Sequence, residues 1–123
     1  MDKVEKPSSD IYAVDECDFQ SRVIEASHAT PVLVDFWAEW CPPCIALAPA
    51  LERVIAESVG RVKLAKVEVD ENMRLAGHYR LRGFPTVILF HQGAELARFG
   101  GSRPAHWIQE WLAEHWEGIS RHG

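Results

Sequence analysis

The side chains best suited to chemistry in this sequence are two cysteines with two residues between them. Cys41 and Cys44 follow the apolar run Val32–Trp37 and precede a helical pattern over Ile45–Val59. Cysteines at this spacing can close and open a small disulfide ring, and the thiolate is the nucleophile in that exchange. The pattern therefore predicts a redox-active Cys41–Cys44 disulfide between the end of a strand and the start of a helix.

The position of each cysteine relative to the helix predicts its role. Cys41 is expected to be the attacking sulfur, because a helix N-terminus offers a thiolate unpaired N–H groups and the positive end of the helix dipole. Cys44 lies one turn further in and is expected to be more buried, which suits a resolving thiol that attacks the mixed disulfide. Pro42 and Pro43 fit the first helical turn and stiffen the ring, but they withdraw two N–H donors from the sulfur.

The same cysteine spacing also occurs in half of a zinc site. No second CxxC or HxxxH pair follows, the only other cysteine is Cys17, and the six histidines are scattered. We therefore expect no bound metal. Zinc or iron–sulfur binding by Cys41 and Cys44 across a dimer stays open as an alternative. Cys17 is interpreted as a small, semi-buried apolar residue.

A carboxylate interrupts the apolar run before the cysteines. Asp35 would be costly to bury unless it is protonated, hydrogen-bonded or paired. One interpretation is a solvated, edge-facing side chain. The other places Asp35 beneath Cys44, where desolvation raises its pKa and lets it exchange a proton with the resolving thiol. Lys66 is a candidate partner for Asp35, although a solvated lysine fits the sequence equally well.

Composition indicates one soluble globular domain. Of the 123 residues, 47% are hydrophobic, and 13 basic against 18 acidic residues give a net charge of -5. Because the sequence has no basic run interleaved with aromatics and no apolar stretch of membrane-spanning length, we expect no nucleic-acid and no membrane partner. The N-terminal residues lack the apolar region of a signal peptide, so we expect a cytoplasmic protein.

Hydrophobic periodicity predicts an α/β fold. The expected organisation is a flexible tail over residues 1–9, a domain over 10–118 and a short tail over 119–123. Asp15 and the run Asp70–Asn72 are interpreted as helix caps, and Pro85 is expected at a turn or in a cis peptide. The predicted strands are Ile11–Val14, Val32–Trp37, Val62–Val69, Thr86–Phe90 and Leu96–Phe99. The predicted helices are Cys17–Ser27, Ile45–Val59, Met73–Tyr79 and Pro104–Gly118.

These elements and motifs together resemble the thioredoxin family. The run from Val34 to Cys44 is similar to the family's active-site signature, and the resemblance covers roughly residues 10 to 117. Other positions fall where the family has its buried acid, helix-kinking proline, acid-paired lysine, cis-proline loop and substrate-facing glycine: Asp35, Pro49, Lys66, Phe84–Thr86 and Gly100.

The resemblance implies a central mixed β-sheet of about five strands flanked by four helices. It implies a monomeric protein-disulfide reductase in which Asp35 with Lys66 handles the proton. No bound cofactor is expected, since electrons would come from NADPH through a flavin-containing thioredoxin reductase and pass to disulfide-containing proteins. The implied substrate-binding surface is flat and largely apolar, and comprises Trp40, Pro42, Pro43, Phe84, Pro85, Gly100 and Gly101.

Two positions depart from the family pattern. Pro42 stands where ordinary thioredoxins have glycine, and Ile45 stands where a basic residue is common. Both differences remove stabilisation from the Cys41 thiolate, whereas a stiffer reduced form changes the redox potential independently. The CPPC pair also occurs in tryparedoxin-like and nucleoredoxin-like branches. One alternative is therefore a pathway-specific reductant, oxidant or isomerase. Another is a non-catalytic binding module, which would have no chemical need for the intact set of Cys41, Cys44, Asp35 and Pro85.

Overall fold

Apolar runs of strand length form a five-stranded mixed sheet. The computed structural model describes residues 10–116. Its strands are β1 (Ile11–Ala13), β2 (Val32–Trp37), β3 (Lys63–Glu68), β4 (Thr86–His91) and β5 (Ala94–Gly100). They lie in the order β1-β3-β2-β4-β5. β3 runs parallel to both β1 and β2, whereas β4 is antiparallel to both β2 and β5.

Four helical segments flank this sheet and confirm the predicted fold class. They are an N-terminal helical segment (Gln20–Glu25, continued by Ala26–His28), α1 (Pro42–Ser58), α2 (Met73–His78) and α3 (Ala105–His115). Predicted and observed elements agree to within a few residues, except at the ends discussed below. The predicted tails over 1–9 and 119–123 lie outside the described residues, as does the predicted end of the last helix at Gly118.

The central position of β2 in the sheet explains why its sequence is almost continuously apolar. Val34 and Phe36 pack against one core, which includes side chains from the N-terminal helical segment and α2. Leu33 packs against the other core, which is formed with α1 and α3. A strand covered on both faces buries successive side chains in opposite directions, so alternation with polar residues is lost. Asp35 is the one charged residue in this apolar strand, and it is buried as well.

The first predicted helix is present, but it begins later than Cys17 and its predicted cap is wrong. The segment Gln20–Glu25 is π-helical and ends in a short 3-10 turn. The backbone N–H of Asp15 donates to the Asp18 carboxylate at 2.8 Å, so Asp15 belongs to the turn before the helix and does not cap it. Cys17 lies in that turn and is exposed, which corrects its assignment as a semi-buried residue.

The predicted cap at Asp70–Asn72 is also wrong. Val69–Glu71 forms a 3-10 turn, and Asn72 occupies the N-cap position of α2 without a side-chain capping bond. The Asn72 amide instead accepts the Glu16 N–H at 2.9 Å and donates to the Glu68 carbonyl at 2.9 Å. Because Asn72 is buried, the distant Glu16 and the nearby Glu68 together pair its amide oxygen and its NH2 group.

A two-residue turn joins the antiparallel strands β4 and β5. Gln92 and Gly93 both have positive φ, 57° and 80°, which matches the twist of a tight hairpin. Ser27 fastens this turn to the N-terminal helical segment. Its carbonyl accepts the Gln92 N–H at 3.0 Å and its hydroxyl accepts the Gly93 N–H at 2.9 Å. The buried Ser27 was not singled out by the sequence pattern.

Gly93→Ala is expected to destabilise the protein. An added Cβ would lie 2.9 Å from His28 Nε2, and the residue would have to keep a φ of 80°. We expect the free energy of unfolding to fall by about 1–2 kcal/mol, measured by denaturant titration. Gly77→Ala in α2 is the matched control, because nothing lies within 4 Å of its added Cβ. Equal stabilities of the two variants would contradict the expectation.

Candidate active site

The two cysteines form a disulfide at the N-terminus of α1. Their Cα atoms are 5.3 Å apart, and Cys41 is the N-cap residue of the helix. Pro42 and Pro43 are exposed and occupy the first two helical positions, so the helix begins three residues before the predicted Ile45. Proline fits there because the first N–H groups of a helix have no intrahelical acceptor.

One backbone N–H points at the sulfur of Cys41. The Cys44 N–H donates to Cys41 Sγ at 3.2 Å, and neither intervening proline has an N–H to offer. A donor at this distance stabilises negative charge on the sulfur once the disulfide opens. The predicted difference in burial is wrong for the disulfide form, because Cys41 is 3% exposed and Cys44 is 2% exposed. The small ring holds both residues at the same depth.

The loop before β4 lies beside the disulfide. Cys41 Sγ is 3.5 Å from the Phe84 carbonyl oxygen, and the Phe84–Pro85 peptide is cis. The Pro85 carbonyl accepts the N–H of Gly101 at 3.0 Å, which joins this loop to the end of β5. The structure thus brings Phe84, Pro85 and Gly101, which are far from Cys41 in sequence, to one side of its sulfur. Gly100 packs on the same loop, since its added Cβ would lie 3.7 Å from the Pro85 carbonyl.

Trp40 is held beside the Phe84 loop although 63% of its surface is exposed. Its indole Nε1 donates to Asp70 at 2.8 Å, and its ring meets the Phe84 ring edge-on, with centroids 6.1 Å apart. Sequence reasoning missed Asp70 as a site residue because it was assigned to a helix cap. The available signal was topological: the C-terminal ends of the parallel strands β2 and β3 meet at one edge of the sheet.

Asp35 is buried, which rules out the interpretation as a solvated, edge-facing aspartate. The residue is 1% exposed, and within residues 10–116 its Oδ1 has no hydrogen-bond partner. Desolvation raises its pKa from 3.8 to about 7, and the nearby positive charge of Lys66 opposes that shift. A carboxyl group with a pKa near neutrality can take up and release a proton under ordinary conditions.

Lys66 lies opposite Asp35 in the register of β2 and β3. Its ammonium group is over the Trp37 ring, with Nζ 5.6 Å from the centroid. The described residues contain no Asp35–Lys66 ion pair, so the predicted partnership is one of proximity and electrostatic field and not of direct contact. The positive charge of the half-buried Lys66 therefore offsets only part of the rise that burial causes in the pKa of Asp35.

Two searches of the described residues returned nothing. Between residues 10 and 116, no group of three or more His, Cys, Asp and Glu side chains is placed to hold a metal ion. In the same range, none of the helices has both the length and the apolar character needed to cross a membrane.

Comparison with known proteins identifies the family. The family model described as Thioredoxin matches residues 10–114. The thioredoxin of Haemophilus influenzae is 33% identical over 107 residues, which are 87% of this chain and 98% of that protein. The thioredoxin of Chlorobaculum thiosulfatiphilum is 37% identical over 98 residues, covering 80% of this chain and 89% of the relative.

A third relative extends the comparison to higher identity. The thioredoxin of Acidithiobacillus ferridurans is 44% identical over 86 residues, which are 70% of this chain and 78% of that protein. These matches do not favour the tryparedoxin-like or nucleoredoxin-like alternative. The chain therefore belongs to the thioredoxin family and is a thiol–disulfide oxidoreductase.

Proposed function

We propose that the chain works in the reducing direction on protein disulfides, with Cys41 as the nucleophile and Cys44 as the resolving thiol. The observation that carries this assignment is the Cys44 N–H, 3.2 Å from Cys41 Sγ at the start of α1. A helix N-terminus and a directed N–H both favour the thiolate of Cys41. Cys44, inside the helix, is placed to attack the sulfur of Cys41 and close the ring.

The proposed cycle moves two electrons. The Cys41 thiolate attacks one sulfur of the substrate disulfide, forms a mixed disulfide and releases the other substrate sulfur as a thiolate, which takes up a proton. Cys44 then loses its proton and attacks Cys41 Sγ. The mixed disulfide breaks, the second substrate thiol leaves, and the chain is left with the Cys41–Cys44 disulfide seen in the structure.

Asp35 is proposed to accept the proton of Cys44 during resolution. Support comes from its burial and from a pKa of about 7, which makes both protonation states accessible near neutral pH. Lys66 is proposed to tune this exchange, because its positive charge lowers the pKa that burial has raised. Neither group needs to touch the substrate.

The substrate is proposed to lie across the residues around the disulfide, of which Trp40, Pro42, Pro43 and Gly100 are exposed. Trp40 and Phe84 meet edge to face at the rim, and nothing lies within 4 Å of a Cβ added at Gly101, which leaves open space for a second backbone. An extended substrate segment could therefore approach Cys41 closely. The proposed surface comprises Trp40, Pro42, Pro43, Phe84, Pro85, Gly100 and Gly101.

The proposed partners follow from membership of the family. Disulfide-containing proteins would be substrates, and a thioredoxin reductase that carries flavin would return electrons from NADPH to the Cys41–Cys44 pair. We propose a monomer that acts in the cytoplasm, where a reducing poise keeps the pair in the dithiol form.

The redox potential of the Cys41–Cys44 pair tests the direction of the reaction. We expect a value below the cytosolic glutathione poise, which biochemical extraction places at about −220 to −260 mV. The measurement is equilibration with glutathione, followed by tryptophan fluorescence, since Trp40 adjoins the sulfurs. Cys17→Ser is used as a parallel sample so that mixed disulfides at the exposed thiol do not contribute. A value at or above the glutathione poise would indicate an oxidant or isomerase and overturn the proposal.

A further inference from the structure

A cleft of about 550 Å³ opens beside the disulfide. Its apolar wall includes Phe84, Pro85 and Phe99, and it reaches Gly100 at the end of β5. The cleft is therefore continuous with the surface proposed above to hold the substrate, because Phe84 also contacts Cys41. A substrate segment next to the reacting disulfide would extend into it.

Three arginines also line this cleft: Arg80, Arg82 and Arg98. Arg98 is already engaged, since it donates to both carboxylate oxygens of Glu95 at 2.6 and 2.9 Å and to the Tyr79 carbonyl at 3.0 Å. The last of these bonds ties β5 to the turn that carries Arg80. Arg98 thus builds the wall of the cleft, and its charge is matched by Glu95.

Arg80 and Arg82 are exposed, and within residues 10–116 neither side chain has an acidic partner. Arg80 also has a φ of 56°, a conformation that glycine adopts without steric cost. The turn needs that backbone geometry but needs no charge. Two guanidinium groups with unused donors therefore stand at the cleft of a chain whose net charge is -5.

Acidic side chains lie near Trp40, outside the residues that line the cleft. Asp70 holds the Trp40 indole, and Glu68 lies close to Glu39, Asp70 and Glu71, whose negative charges act on it. A carboxylate in the substrate would be repelled near Asp70 and attracted near Arg80 and Arg82. The active-site face can therefore favour one placement of an acidic segment over the reverse.

We propose that Arg80 and Arg82 form a specificity subsite for acidic side chains in the substrate protein, next to the disulfide that Cys41 attacks. The inference rests on the proposed reductase function and adds a preference among its substrates. Guanidinium groups suit this task because their forked donors match carboxylate oxygens in pairs. The apolar wall would hold the substrate backbone while the two arginines select for charge.

The test uses short peptides that carry one disulfide. One peptide has Asp and Glu on the N-terminal flank of the disulfide, a second has them on the C-terminal flank, and a third replaces them with Asn and Gln. The pre-reduced protein is mixed with each peptide in the absence of any reductase, and its oxidation is followed by tryptophan fluorescence. We expect one acidic isomer to react about 3- to 10-fold faster than the amide peptide, since each exposed charge pair contributes modestly.

The variant Arg80→Gln/Arg82→Gln should react with the acidic and amide peptides at about the same rate. About 1 M salt should remove the preference in the wild type as well, since the Debye length is then about 3 Å. Arg53→Gln/Arg61→Gln is the control for net charge and should keep the preference. Arg53 lies in the second half of α1, and Arg61 lies beyond its C-terminal end, away from the disulfide. The inference is overturned if neither isomer is preferred, or if the preference survives in Arg80→Gln/Arg82→Gln. Failure to reduce any of the three peptides would contradict the proposed reductase function itself.

Discussion

Cys41→Ser is expected to abolish the reduction of protein disulfides. A serine hydroxyl does not ionise near neutral pH and cannot form a mixed disulfide, so the second-order rate should fall by at least about a thousandfold. The N–H of Cys44 would still point at position 41, but it would have no thiolate to stabilise. Insulin-disulfide reduction with dithiothreitol as the electron donor measures the loss, after subtraction of the uncatalysed rate.

Cys44→Ser distinguishes the two sulfurs. Cys41 can still attack in this variant, but no resolving thiol follows, so a mixed disulfide with the substrate should accumulate and be visible on a non-reducing gel. Cys17→Ser is the control, since this exposed cysteine is outside the site and its loss should leave turnover unchanged. Activity in Cys41→Ser, or trapping in Cys41→Ser and not in Cys44→Ser, would reverse or remove the assigned roles.

Asp35→Asn is expected to stabilise the protein at high pH and not at low pH. Burial raises the folded-state pKa of Asp35 from 3.8 to about 7, so the folded protein binds this proton more tightly than the unfolded chain does. Wild-type stability should therefore fall as pH rises from about 4 to about 7, by about 4 kcal/mol in total. Asparagine cannot ionise and avoids that loss.

The measurement is the free energy of unfolding of the oxidised protein at several pH values. The excess stability of Asp35→Asn should be near zero at about pH 4, grow through neutrality and level off above about pH 7. Glu52→Gln, at an exposed position of α1, is the control and should show no such trend. A constant difference between Asp35→Asn and wild type across this range would show that Asp35 does not carry the raised pKa.

The same variant separates two kinetic steps. Attack by Cys41 should be little changed in Asp35→Asn, whereas resolution by Cys44 at neutral pH should slow by about 100-fold, the lower end of the usual range for general acid–base catalysis. Stopped-flow fluorescence with a peptide disulfide resolves the two phases. Equal effects on both phases, or none on either, would remove Asp35 from the proton transfer.

The parts of the fold that sequence could predict are those set by local pattern. The apolar run of β2, the CxxC spacing and the proline before β4 each have a direct physical meaning, so the buried strand and the position of the disulfide follow from them, whereas the mixed sheet was expected from the family resemblance. Side chains whose partners are distant behaved differently. Asn72 was assigned to a cap, but it bonds to the distant Glu16 as well as to the nearby Glu68, because a buried amide has to satisfy both its donors and its acceptor.

The partners of charged side chains at the site could not be predicted from the sequence either. The sequence marks Asp35 as unusual, and burial accounts for it, but the sequence does not reveal that Lys66 lies over Trp37 without pairing directly. Arg80 and Arg82 come from the turn after α2, whereas Arg98 comes from β5. No spacing in the sequence relates these arginines, and only the folded sheet brings them to one cleft.

The two prolines at the start of α1 also determine how substitutions can change the stabilisation of the Cys41 thiolate. They leave the Cys44 N–H as the first backbone donor of the helix, and that donor belongs to the peptide chain and not to a side chain. No substitution that keeps a cysteine at position 44 can remove it. Its electrostatic support of Cys41 is therefore protected against point mutation, whereas replacing Pro42 or Pro43 can only add donors. Single substitutions by uncharged residues at these two positions would therefore tune the thiolate toward greater acidity.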